Sequence, residues 1–143
     1  MRVLVTGMSG TGKSSALAEL ARLGHTVVDT DYDGWDDPWD EERMAALLAE
    51  HDDLFVSGTV ENQGRFYDRF DAVVLLAAPV HVLLARLAAR TTNPYGKTER
   101  ERAEVRRYVE TVEPLLRATC TLELDATRPL PEIVAELERV ARA

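Results

Sequence analysis

The chain is 143 residues long, 45% hydrophobic and 29% charged, the balance of one globular domain with enough length for a single packed core. Its net charge of −8 and pI near 4.9 argue against binding nucleic acid through a broad basic face, and no apolar run reaches membrane-spanning length. One cysteine, Cys120, excludes an internal disulfide framework and fits a cytoplasmic protein, and with a first strand predicted from Arg2 no signal peptide is expected.

In chain order, "RVLVT" (2–6) is a short β-branched run that predicts a buried strand. Leu17, Leu20, Ala21 and Leu23 recur at helical spacing from Ser14, and Gly24 supplies the stop. "TVVD" (26–29) predicts a second strand. Asp37–Pro38 followed by Asp40, Glu41 and Glu42 predicts a helix running to about Glu50 and burying Met44, Leu47 and Leu48. "LFVS" (54–57) is a third strand, residues 58–70 a loop with one or two helical turns, and "AVVLLAA" (72–78) a central parallel strand, apolar on both faces. Pro79 opens a helix to about Arg90, "TTNPYGK" (91–97) is a loop, and "TERE" (98–101) is a capping box heading a helix that Pro114 ends or kinks. "CTLEL" (120–124) is a fifth strand, with Cys120 a small buried residue at its start, and Pro131 opens the last helix. Strands alternating with helices imply right-handed βαβ crossovers, hence one α/β domain spanning 1–143 with a parallel sheet and helices on both faces.

Between the first strand and first helix lies "GMSGTGKSS". Gly7, Gly12, Lys13 and Ser14 fit G-x-x-x-x-G-K-S/T, the phosphate-binding P-loop. Its glycines let backbone N–H groups converge on an anion, and the following helix aims its positive end at the same point. Gly7, Ser9, Gly10, Thr11, Gly12, Lys13, Ser14 and Ser15 are therefore expected to bind ATP. Lys13 reaches the β- and γ-phosphates, and the Ser14 hydroxyl sits on Mg²⁺.

Other P-loop signatures are missing. There is no N/T-K-x-D for guanine, no "LSGGQ", and no acid at the tip of "VSGT" to serve as a Walker B residue. The best metal and acceptor candidates are Asp29 and Asp31, one residue apart at the end of the second strand beside the P-loop, so that one can face a metal and the other a hydroxyl.

"GMSGTGKSS", "VVDTD", "VVLLAAPVHVLLARLAARTT" and "VEPLLRATCTLELDATRPLPEIV" together resemble the shikimate-kinase-like branch of small P-loop kinases, relatives of adenylate and gluconate kinases. The resemblance covers nearly the whole chain and is specific at the P-loop and D-x-D. It implies a three-layer α/β/α P-loop NTPase fold with five parallel strands in the order 2-3-1-4-5, an acceptor segment at about 30–52 and a lid at about 91–101. It also implies transfer of the γ-phosphoryl of ATP to a small-molecule hydroxyl. Carried over, Asp29 holds Mg²⁺ through water, Asp31 contacts the acceptor as its base, and Arg90 and Pro129 flank the nucleotide. Of Lys97, Arg100 and Arg102, on or beside the lid loop, Lys97 is favoured as the cation that closes on the transferring phosphoryl because it lies in the loop itself.

The match also departs from that family. Val112 stands where shikimate kinases place an acceptor-gripping arginine, and "SGTVENQGR" replaces their glycine triplet. Between Thr26 and Gly64 twelve Asp or Glu face one basic residue, Arg43. Such a pocket repels carboxylate and phosphate acceptors, so a small uncharged or cationic acceptor is expected, with Asp31, Trp35 and Glu61 as substrate contacts. Trp39 either joins them or packs the second helix. The alternative, from another class, is a nucleotide-binding ATPase or switch module with little phosphotransfer.

Overall fold

The structure, a computed structural model, describes residues 1–143. Its elements are β1 (Arg2–Thr6), α1 (Lys13–Arg22), β2 (Val27–Asp29), α2 (Glu41–Glu50), β3 (Leu54–Ser57), a 3₁₀ helix (Gln63–Arg69), β4 (Ala72–Ala77), α3 (Val80–Ala89), α4 (Glu99–Thr111), α5 (Glu113–Thr119), β5 (Leu122–Asp125) and α6 (Leu130–Arg142). The five strands form one sheet in the order β2-β3-β1-β4-β5, every pairing parallel. Val5 pairs with Ser57 on one side and Val74 on the other, so the P-loop leaves the sheet at its centre.

The period-2 pattern of β1 builds both cores. Val3 and Val5 pack against Ala16, Leu17 and Leu20 of α1 and Ile133, Val134 and Leu137 of α6. Leu4 faces the opposite layer, with Trp39, Met44 and Leu48 of the α2 region and Phe66 and Phe70. This is the three-layer P-loop NTPase architecture. No helix is long and apolar enough to cross a membrane.

Element bounds and burial differ from the sequence expectation in several places. The second helix starts at Glu41, because the Asp40 side chain accepts from the Arg43 N–H and so fixes the cap there, three residues past Pro38. Leu47 is only half-buried on that helix, whereas Met44 and Leu48 are buried. Of the two outcomes expected at Pro114, the helix ends rather than kinks: α4 stops at Thr111, and the proline sits in the first turn of a separate helix, α5, where its missing N–H costs nothing. The fifth strand is Leu122–Asp125, and Cys120 is the half-buried residue that ends α5. The capping box of Thr98 and Glu101 forms as the sequence predicts.

Candidate active site

The helix starts differ in how they are closed. Those of α2 and α4 are closed by their own side chains and carry glutamates in the first turn. Those of α1 and α3 have no side-chain cap and no acid in the first turn, and of the two only that of α1, with Gly12 as its N-cap at φ 93°, opens onto the cleft. The leading N–H groups of α1 and its positive dipole end are left to an external anion. Gly7, at φ 151°, admits no side chain: a Cβ there would lie 2.4 Å from the Leu76 carbonyl oxygen.

Lys13 is buried, and its Nζ donates to the carbonyls of Gly7 at 2.7 Å and Met8 at 3.3 Å. Burial lowers its pKa, opposed by the negative charges of Asp31 and Asp29 and reinforced by Arg90. The ammonium is held on its own loop by carbonyls that an entering phosphate can replace.

The loop opens into a cleft of about 1350 Å³. All eight P-loop residues expected from the sequence line it, Gly7 and Ser9 to Ser15. So do Asp31, Glu61 and Arg90. Strand order divides the charges. Asp31, Asp37 and Glu61 follow β2 and β3, on one side of β1. Arg86, Arg90 and Arg128 follow β4 and β5, on the other, and Lys13 lies between. No lysine or arginine lines the β2–β3 half. Glu104, the remaining carboxylate, comes from α4 and accepts the Tyr95 hydroxyl at 2.5 Å. All four tyrosines of the chain, Tyr32, Tyr67, Tyr95 and Tyr108, line this cleft, and neither tryptophan does.

Asp31 stands at the seam between the two halves, exposed to the cleft yet surrounded by its walls. Desolvation there raises its carboxyl pKa, Lys13 and Arg90 pull against that rise, and Asp29 adds to it. Asp29 lies behind the cleft surface. Its Oδ1 accepts from the Ser57 hydroxyl at 3.1 Å and the Asp31 N–H at 3.0 Å. Ser57, in register with Asp29 on the neighbouring strand, occupies the strand tip where a Walker B acid would stand and instead orients the Asp29 carboxylate.

Other expected residues are placed differently. Trp35 lies outside the cleft under the Arg43 guanidinium, 3.9 Å from its ring centre, because Arg43 is anchored to the Gly34 carbonyl at 2.8 Å. Trp39 is a core residue, 2% exposed, donating from Nε1 to Thr30. Pro129 caps α6 outside the cleft lining, and its neighbours Arg128 and Leu130 line it instead. Lys97 also lies outside, donating to the Ala88 carbonyl at the end of α3 at 2.8 Å. The loop at 91–98 is pinned: Arg90 donates to the Asn93 and Tyr95 carbonyls, and the Asn93 amide reaches the Tyr32 hydroxyl at 3.3 Å. Among "ENQ", Glu61 and Gln63 line the cleft, while Asn62 braces the Trp39 backbone through both its amide atoms.

Sequence reasoning missed Arg86, Thr59, Tyr67, Tyr95 and Tyr108. Arg86 donates to Gly10 O at 3.3 Å and Ala126 O at 2.6 Å, tying the P-loop to the turn before α6. Its position one helical turn before Arg90 was a usable signal, since residues four apart share a helix face. Nothing local marks Thr59.

The sheet order, the loop at the carboxyl end of β1 and the cleft above it define a P-loop nucleotide-binding protein. Residues 3–107 match the family model described as the AAA domain, and the chain belongs to that family. Among solved structures, shikimate kinase from Acinetobacter baumannii, in complex with shikimate, is 20% identical with a TM-score of 0.73, the match covering 97% of this chain and 91% of that one. Shikimate kinase from Bacteroides thetaiotaomicron is 19% identical with a TM-score of 0.74, covering 100% and 99%. A gluconokinase from Sinorhizobium meliloti 1021 is 21% identical with a TM-score of 0.67, covering 99% and 91%. The fold is thus that of the shikimate-kinase-like P-loop group. No curated protein sequence matches the chain.

Proposed function

We propose that the protein is an ATP-dependent phosphotransferase that moves the γ-phosphoryl of Mg·ATP to a hydroxyl of a small uncharged or cationic molecule. The observation that carries this reading is the division of one cleft, with the open start of α1 and Lys13 at its centre, arginines on the β4–β5 side, and carboxylates with no lysine or arginine among the lining residues on the β2–β3 side. A polyphosphate suits the first half, and a carboxylate or phosphate ester is repelled by the second. Tyr108, Leu115 and Leu130, exposed on the cleft wall, give apolar surface for a nucleobase.

The P-loop amides and Lys13 would hold the phosphates, with Arg90, Arg86 and Arg128 around them and Arg90 continuing the positive field toward the seam. Hydroxyl and carboxylate oxygens are the donors Mg²⁺ prefers, and Ser14, with Asp29 through water, would hold it. That ion would neutralise charge on the transferring group. Asp31 would orient the acceptor hydroxyl and take its proton as the new oxygen–phosphorus bond forms and the bond to the departing ADP oxygen breaks. Residues about 30–52 form the acceptor segment and about 91–101 the lid, whose Lys97 must leave Ala88 to reach the phosphates. The neighbours named above fit this reading, and Tyr32, Tyr67, Asp37 and Glu61 fit the acceptor side better than Trp35.

A second reading, a nucleotide-binding ATPase or switch, is favoured by two observations. Ser57 replaces the Walker B acid, and Lys97 is turned away from the cleft. The test is ADP release from Mg·ATP with a panel of sugars, amino sugars, nucleosides, amino alcohols and shikimate against an acceptor-free blank. Stimulation by a neutral or amine-bearing compound is expected. Stimulation by shikimate alone overturns the acceptor class, and none across the panel favours the switch.

A further inference from the structure

A partly buried chain of hydrogen bonds runs from the acceptor wall to the P-loop, and each of its donors can be assigned. Gln63 is 3% exposed. Its Oε1 receives the Val60 N–H at 2.9 Å, and since a backbone N–H can only donate, this fixes which end of the amide is oxygen. The two protons of Nε2 then go to Thr6 Oγ1 at 3.1 Å and the Tyr67 hydroxyl oxygen at 2.9 Å. Thr59 has one hydroxyl proton, given to the Gly7 carbonyl at 2.6 Å, so in the 3.1 Å Thr6–Thr59 pair Thr6 is the donor. Thr59 Oγ1 also receives the Gly7 N–H at 3.2 Å. Both backbone groups of the first P-loop glycine therefore rest on one side chain.

That glycine carbonyl is shared with Lys13, which donates to it at 2.7 Å. When the lysine turns to a phosphate, Thr59 is the donor that remains. At the far end, Tyr67 accepts from Gln63, which leaves its own hydroxyl proton free to donate into the cleft it lines. We infer that Thr59, Thr6 and Gln63 are positioning residues that hold Gly7 in its phosphate-binding geometry, with the Tyr67 hydroxyl as the outer, acceptor-facing end of the same relay. Tyr67 then donates to an oxygen lone pair of the small molecule.

The inference rests on the reading of the loop as a nucleotide site, and the test separates the two. Binding of a fluorescent N-methylanthraniloyl ADP with Mg²⁺ is titrated for the wild type and for Thr59→Val, Thr59→Ser, Thr6→Val and Thr6→Ser, with folding of each variant checked by circular dichroism. Valine keeps the volume and removes the hydroxyl; serine keeps the hydroxyl. Thr59→Val is expected to weaken binding about tenfold and Thr6→Val about threefold, with both serine variants close to wild type. If Thr59→Val does not fold, Thr6→Val against Thr6→Ser decides. Valine variants that fold and bind like the wild type overturn the relay while leaving the nucleotide site intact. A wild type that does not bind the probe overturns both.

Discussion

The two halves of the cleft are built in different ways. The nucleotide half is mostly backbone, the amides of one nine-residue stretch bent by glycines onto a helix start that its own side chains leave uncapped. The half proposed for the acceptor is mostly side chains: Asp31 and Tyr32 after β2, Asp37 before α2, Glu61 after β3, and Tyr67 from the 3₁₀ helix. A binding site made of backbone can be specified by local sequence, since a few φ values and one helix dipole suffice. A site made of side chains from separate strands exists only after the sheet has set their order.

Four changes sharpen or break that contrast. Lys13→Ala strikes the nucleotide half and is expected to lower turnover by about 10²–10³ or more, with weakened Mg·ADP binding. Retention of both would deny the half its role.

Asp31→Asn strikes the seam. It should lower phosphoryl transfer by about 10²–10⁴ while Mg·ADP affinity stays within a few fold. Equal losses in both would mean that the halves do not act separately. Because burial raises the Asp31 pKa, the folded protein holds that proton more tightly than the unfolded chain. The stability this gives is present at low pH and is lost as pH rises through the folded pKa. At neutral pH Asp31→Asn should therefore melt slightly higher than wild type, and the difference should vanish below the ordinary carboxylate range. By the same shift, wild-type turnover should fall on acidification at a higher pH than an unperturbed carboxylate would give.

Gly58→Ala tests the frame of the acceptor half. A Cβ at Gly58 would meet Thr30 Oγ1 at 2.2 Å and the Trp39 ring at 3.2 Å, so a loss of about 1–3 kcal/mol in unfolding free energy is expected by denaturant titration. Glu61→Gln is the mildest change. Its exposed carboxylate should matter only for a cationic acceptor, raising KM about threefold for an amine-bearing compound and leaving a neutral one unmoved. An equal change for both would remove charge from the account of that wall.

How much was legible follows residue by residue. The P-loop was readable as a string, and the Thr98–Glu101 cap likewise, because each depends on neighbours three to six positions away. Asp31 was visible as one of a close-spaced pair, and its partner Asp29 proved to be held by Ser57 from the next strand, a contact that no local spacing encodes. Trp35 was misplaced because aromatic character says nothing about direction: Arg43 draws the ring to the far side of the acceptor segment. Pro129 was one residue from two that do line the cleft. Lys97, expected from its loop to be a lid cation, donates instead to the Ala88 carbonyl at the end of α3.

By itself, the sequence determined the strand–helix alternation, the parallel sheet, the phosphate loop and the acidity of the segment between β2 and β3. Each follows from periodicity, glycine geometry or net charge, which act over short spans of chain. Tertiary structure decided that Asp31, Asp37 and Glu61 stand on one side of β1 and the arginines on the other, that every tyrosine turns to one cleft, and that Gln63, through Thr6 and Thr59, is linked to the first P-loop glycine. Those depend on which strand tips become neighbours, and strand order is fixed by the burial of both sheet faces at once.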